Sequence, residues 1–159
     1  MLIWKQQLKY LKIMKLSQKI KNMIKAWEGC KLTAYRCPSG VLTIGYGHTG
    51  PDVTPGKQIL QAEADALFEN DIKKFADSVA AELDGASING NQFDALVSLA
   101  YNIGIHAFHK STLFKKVMAN PSDKSIRSEF VKWIYGGGRI LPGLVKRRIA
   151  EANLYFGKP

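Results

Sequence analysis

From Ala34 to His48 the chain is rich in β-branched and aromatic residues, and this is the one strand-like stretch in a sequence that otherwise repeats at helical period. A single short β segment set among helical segments gives an α+β architecture, mostly helical, with one small sheet near the N-terminus. Cys37-Pro38-Ser39-Gly40 breaks the stretch with turn chemistry, so it reads as a hairpin of two short strands.

Spacing sets the helices. Leu16 to Glu28 places Ile20, Ile24 and Trp27 at i, i+4 and i+7, with Ser17 as N-cap and Gly29 as the stop, which puts Glu28 in the last turn. Gly50 to Gly56 is a loop carrying Pro51 and Pro55. Beyond it Leu60, Ala64, Leu67, Phe68, Ile72, Phe75 and Val79 keep the helical period for about five turns, long enough to bridge two lobes. Asn89 with Gln92 forms a capping box for a helix bearing Phe93, Leu96, Val97, Ala100 and Tyr101, which Gly104 ends. Shorter helices follow at about 112–119, 123–134 and 143–156, with Tyr135 to Pro142 read as a loop. The organisation expected is a basic extension over residues 1–15 and a single domain over 16–159. Within that domain a small lobe covers about 28–60, and a helical lobe of about 82–157 takes in the N-terminal helix.

Charge narrows the partners. Lys and Arg number 23 against 13 for Asp and Glu, a formal net charge of +10, and a field of that sign draws the protein toward polyanions. No RNP-type aromatic motif, zinc-finger spacing or phosphate-loop lysine pattern accompanies it, so nucleic acid is not the expected partner, and anionic lipid and the bacterial cell envelope remain. The two cysteines are too few for a disulfide framework or a Cys-only zinc site. No metal and no cofactor are expected. The N-terminal segment has no apolar run of signal-peptide length, because Lys5, Gln6, Gln7, Lys9 and Lys12 interrupt it. Its basic amphipathic pattern suits peripheral contact with a membrane surface, and equally a solvated helix.

Glu28 is the residue most suited to acid chemistry. A carboxyl at a helix C-terminus meets the negative end of the backbone dipole, and Trp27 beside it can desolvate it; both raise a pKa toward the working pH of a general acid. The competing reading is a surface glutamate on a basic helix. His48 has no second ligand at usable spacing, which favours a structural role over metal binding. A thiol-imidazole pair of Cys37 and His48, cutting peptide bonds, is the alternative enzyme chemistry.

Trp27-Glu28-Gly29, Ala34-Tyr35 and Leu42-Thr43-Ile44-Gly45-Tyr46-Gly47-His48 resemble the active-site segment of the phage-type lysozymes, glycoside hydrolase family 24. Gln61 to Asp65, Ala100 to Gly104, Ser111 to Leu113 and Leu141 to Arg148 resemble the same family in the same order, so the resemblance runs from Leu16 to Phe156. It implies a two-lobed lysozyme-like fold with a long interlobe helix, and a monomeric endolysin made in the host cytoplasm that acts on peptidoglycan in the periplasm. The implied reaction is hydrolysis of the β-1,4 bond from N-acetylmuramic acid to N-acetylglucosamine with inversion. The family pattern of Glu, eight residues, an acidic residue, five residues and Thr falls on Glu28, Cys37 and Thr43. Carried over, Glu28 is the acid and Thr43 holds the attacking water. His48 pairs with Asp71. Asn102 is either an amide presented to the glycan's N-acetyl groups or a polar residue at a helix end. Arg147 and Arg148 either reach acidic residues near the site or form a basic solvated face.

Cys37 departs from the pattern. It is either a functional replacement, as in some phage endolysins similar to this chain, or a tolerated change with Glu28 and Thr43 carrying the reaction. An ordinary thiol has a pKa of about 8.5, and a Glu28 carboxylate nearby would push it higher, so Cys37 is expected to be largely neutral at pH 7. The resemblance also implies that Cys30 and Cys37 can form a bridge that holds the enzyme inactive until it is reduced. Without a third cysteine such a switch depends on external reductant. The competing expectation is two free thiols, with Cys30 packed as a small hydrophobe.

Overall fold

The computed structural model describes residues 14–157, so the amphipathic helix expected in the N-terminal extension lies outside the described residues. Among the described residues no helix is long and apolar enough to cross a membrane. The chain divides into two compact units: Lys21–Lys74 forms one, and the described residues before Lys21 and after Lys74 form the other. The expected small lobe, about 28–60, lies within the first unit, which also takes in the end of the first helix and the start of the long one.

Helix α1, Gln18–Glu28, begins where Ser17 Oγ accepts the Ile20 amide at 3.2 Å. It stops at Gly29, whose φ of +68° is left-handed and whose N–H returns to the Lys25 carbonyl at 3.0 Å. Strands β1 (Lys31–Arg36), β2 (Leu42–Gly45) and β3 (His48–Thr49) follow as an antiparallel sheet in the order β1-β2-β3. The hairpin expected from Ala34 to His48 is therefore a three-stranded sheet. It starts earlier because the first half of β1 pairs with the segment before the long helix: Ala34 N–H donates to the Lys57 carbonyl at 2.8 Å and Ile59 N–H to the Leu32 carbonyl at 2.9 Å. Ile44, Val53, Ile59 and Ala64 form the buried apolar cluster of this unit, with Cys30, Ala34, Leu42, Tyr46 and Leu67 packed against it.

The long helix α2 spans Gln61–Glu82 and buries Ala64, Phe68, Ile72 and Val79. Leu60, read as part of its apolar face, is instead 72% exposed: its amide N–H donates to Glu63 Oε2, which caps it at 2.7 Å, so it starts the helix without packing. Two ion pairs fix α1 to α2, Lys21 Nζ to Glu69 Oε2 at 2.5 Å and Lys25 Nζ to Asp65 Oδ1 at 2.9 Å. Both are partly solvated, a class of pair worth about 0–1 kcal/mol, so they set register more than stability.

In the other unit, helix α3, Gly90–Ile103, carries the Asn89–Gln92 capping box, and every residue from Phe93 to Ala100 is buried. Gly104, at φ +88°, ends α3 and opens α4, Ile105–Lys110, a helix the sequence reading did not anticipate. Helix α5 is Thr112–Ala119, and α6 is only Ile126–Phe130, shorter than the span expected. The stretch read as a loop holds a small hairpin, β4 (Tyr135–Gly136) and β5 (Arg139–Ile140), closed by Gly137 and Gly138. Both glycines have positive φ, the requirement of a type I′ turn. Helix α7, Pro142–Tyr155, completes the unit and packs against α3.

Candidate active site

Glu28, Cys30, Cys37, Thr43, His48 and Asp71 all lie in the Lys21–Lys74 unit, whereas Asn102 and Arg147 lie in the helical one. Glu28 is half-buried at the end of α1, beside a half-buried Trp27. Two positions before Cys37, on β1, stands Tyr35, opposite Thr43 of β2. Burial pushes the ionisation of its phenol up, and the negative charges of Cys37 and of Glu28 push it further. The phenol thus lies within the field of both groups that the sequence singles out. The sequence reading quoted Tyr35 and gave it no role.

Cys37 opens a tight turn. Gly40 N–H donates to the Cys37 carbonyl at 2.8 Å, and Cys37 N–H donates to the Val41 carbonyl at 3.0 Å. No non-glycine residue has a positive φ, so Pro38 and Ser39 take the type I conformation that suits Pro at its second position. This folds the Ser39 hydroxyl back onto the thiol, Oγ to Sγ at 2.9 Å. Thr43, 4% exposed, donates its hydroxyl proton to the Val41 carbonyl at 3.0 Å. The expectation of a neutral thiol is corrected here. The Ser39 hydroxyl, opposed by burial and helped by the Ser39 and Val41 amides and by Thr43, lowers the Cys37 pKa to about 7. Near pH 7 both the thiol and the thiolate are well populated.

His48 is engaged at both ring nitrogens. Nδ1 meets Asp71 Oδ2 at 2.6 Å, and Nε2 meets both carboxylate oxygens of Asp52 at 3.2 Å. Burial lowers the imidazole's pKa, but the two carboxylates more than offset it and the net direction is up. Asp52 moves down, chiefly through its bond to His48. Asp52 was not foreseen, although its spacing of four from His48 was visible. Among the described residues no group of three or more His, Cys, Asp or Glu could hold a metal ion.

In the helical unit Asn102 is exposed near the end of α3, and its Oδ1 accepts from Arg148 Nη2 at 2.7 Å. The solvated basic face proposed for the two arginines is not what forms: Arg147 is 3% exposed and Arg148 0%. They converge on Glu151, also fully buried, with Arg147 Nε at 3.1 Å from Oε1 and Arg148 Nε at 3.1 Å from Oε2. Ser98 donates to Glu151 Oε1 at 2.5 Å, and Arg147 Nη2 reaches the Ser98 carbonyl at 3.1 Å. Glu151 was missed, although its offsets of three and four from the arginines are those of helix-face neighbours.

A family model described as phage lysozyme matches residues 25–151. The endolysin of Bacillus phage B103 is 41% identical over 145 residues, which cover 90% of this chain and 54% of that protein. The chain therefore spans about half the length of that relative and of a second Bacillus phage endolysin. The endolysin of Acyrthosiphon pisum secondary endosymbiont phage 1 is 41% identical, with 89% of this chain and 98% of that protein covered. Among solved structures, the muramidase domain of SpmX from Asticaccaulis excentricus superimposes with a TM-score of 0.78 at 32% identity, covering 89% of this chain and 97% of that one.

Proposed function

Since this chain belongs to the phage lysozyme family, we propose that it is an endolysin, a peptidoglycan hydrolase of the N-acetylmuramidase type that lyses its host. Made in the host cytoplasm, it acts on the wall in the periplasm as a monomer, with its charge of +10 suited to an anionic substrate. The observation that carries this reading is the arrangement of Glu28, Cys37 and Thr43: a carboxyl at the end of α1, a thiol on the turn after β1, and Thr43 on β2, with Tyr35 in the field of the first two.

Glu28 gives its proton to the glycosidic oxygen as the bond to the anomeric carbon breaks. A water forms the new bond to that carbon from the opposite face, which inverts it. The Thr43 proton is committed to the Val41 carbonyl, so the Thr43 oxygen accepts one hydrogen of that water. The Cys37 thiolate takes the other proton. Asn102, held by Arg148, presents its amide to N-acetyl groups of the glycan.

Purified peptidoglycan treated with the protein should gain reducing ends and no free amino groups; release of amino groups alone would overturn the glycosidase. The thiol-imidazole peptidase loses support on one count, since both ring nitrogens of His48 are taken by carboxylates.

Redox control of this site requires Cys30 and Cys37 to meet. Cys30 and Cys37 are free and flank the six-residue strand β1. At strand rise their Cα atoms are about 20 Å apart, and a disulfide needs them within about 7 Å. A bridge between them therefore forms only if β1 is undone. Wild type carrying a mass-verified bridge should be inactive and regain activity in dithiothreitol, whereas Cys30→Ser should be active without reductant. Full activity of the bridged protein would end the switch and show that Cys37 needs no free thiol.

A further inference from the structure

We propose that Ser39 is a positioning residue for the reaction, whose hydroxyl holds Cys37 as a thiolate on the turn after β1. The inference rests on the reading of Cys37 as the group that takes the proton of the attacking water. A carboxylate in that place is ionised at neutral pH unaided, with an ordinary pKa of about 3.9 for Asp, whereas a thiol at about 8.5 is not. Cysteine therefore creates a need that an acidic residue does not have: donors aimed at the sulfur.

The turn supplies them. Ser39 Oγ stands 2.9 Å from Cys37 Sγ, held there by the type I turn that Pro38 starts and the Gly40-to-Cys37 bond closes. A thiolate only accepts, so the hydroxyl rotates its proton toward it. The amides of Ser39 and Val41 also favour the thiolate, and together these donors outweigh burial in the thiol's ionisation. Thr43 is the other hydroxyl that favours the thiolate, but its effect is the smaller one and its proton is shared with the Val41 carbonyl at 3.0 Å. Ser39 is therefore the principal hydroxyl donor to the sulfur. The charged and titratable groups around the turn are Glu28 at the end of α1, and Tyr35 and Arg36 of β1, whose Nη1 donates to the Gly40 carbonyl at 2.8 Å. Strand β2, Leu42–Gly45, contributes none. The shift in the thiol's ionisation is set by burial and by the hydrogen-bond donors of the turn and of Thr43, with the Ser39 hydroxyl the largest.

The test uses a Cys30→Ser background, which leaves Cys37 as the single thiol. Its titration is followed by thiolate absorbance near 240 nm and by the pH dependence of iodoacetamide alkylation, beside the pH profile of wall hydrolysis. Ser39→Ala should move the thiol midpoint up from about 7 toward about 8.5, with alkylation at pH 7 slowed about tenfold and the acid limb of the rate profile displaced equally. Ser39→Thr, which keeps the hydroxyl, should restore both. In a Cys37→Asp background, Ser39→Ala should leave the rate profile where it was. An unmoved thiol midpoint in folded Ser39→Ala overturns the proposal. A moved midpoint with an unmoved rate profile leaves the hold of Ser39 on the sulfur standing and overturns Cys37 as the base.

Discussion

Glu28→Gln releases reducing ends from purified peptidoglycan about 100- to 10,000-fold more slowly than wild type, the range a general acid contributes. The amide keeps the size and the planar shape of the side chain at the end of α1 and loses only the transferable proton. Because Glu28 is half-buried, ends the last turn of α1 and is not among the residues of the Ile44, Val53, Ile59 and Ala64 cluster, the substitution adds no bulk to that cluster. Far-ultraviolet circular dichroism and the thermal midpoint should therefore match wild type. Together the two readouts separate loss of chemistry from loss of fold. Residual hydrolysis above a tenth of wild type would displace Glu28 from the acid role and return the family spacing to a structural coincidence.

The second large effect is on stability. Glu151→Gln should cost about 3–5 kcal/mol, because it leaves two buried guanidiniums without the carboxylate that both contact. Burial pushes the Glu151 carboxyl up while Arg148, Arg147 and the Ser98 hydroxyl pull it down, so the group is held in contest and its removal falls on every partner at once. Asn102 is expected to loosen as well, since its Oδ1 is held by Arg148. The midpoint of urea denaturation measures the loss. Glu151→Leu combined with Arg147→Met and Arg148→Met should recover much of it, as replacement of a whole buried ionic group by apolar side chains is often neutral or favourable. A loss below about 1 kcal/mol for Glu151→Gln would mean that water reaches the cluster and screens it.

Sequence reading succeeded where one local signal decides the outcome. Ser17, Gly29 and the Asn89–Gln92 box mark helix ends because caps act within three or four residues, and the structure has each of them in its bonds. It was weaker where distant chain decides. The start of β1 depends on Lys57 and Ile59, more than twenty positions on, and no local pattern at Lys31 reveals that pairing. The β4–β5 hairpin was taken for a loop because its strands are two residues each, too short to show alternation, although Gly137-Gly138 is itself a hairpin turn signal. The ionisation of Cys37 was misjudged for a related reason. The chain position of Glu28 suggests repulsion, but the donors that lower the thiol's pKa become visible only once the turn is folded and Ser39 comes back onto the sulfur.

Every group proposed to take part in bond making or breaking belongs to Lys21–Lys74, whereas the continuous buried stretch from Phe93 to Ala100 and the Glu151 cluster belong to the helical unit. Cohesion and chemistry are thus carried by different stretches of chain. The Lys21–Lys74 unit has its own small buried cluster of Ile44, Val53, Ile59 and Ala64, and hydrogen exchange of the β1 to β3 amides is expected to report local openings that a global melt does not register. Substitutions that strengthen α3 or α7 are expected to raise the temperature of complete unfolding, and the exchange rates of the β1 to β3 amides measure whether those openings change with it. If exchange and melting temperature part company in such variants, the durability of the proposed site is a property of the neighbourhood of Val53 and Ile59, and melting temperature is the wrong quantity to select on.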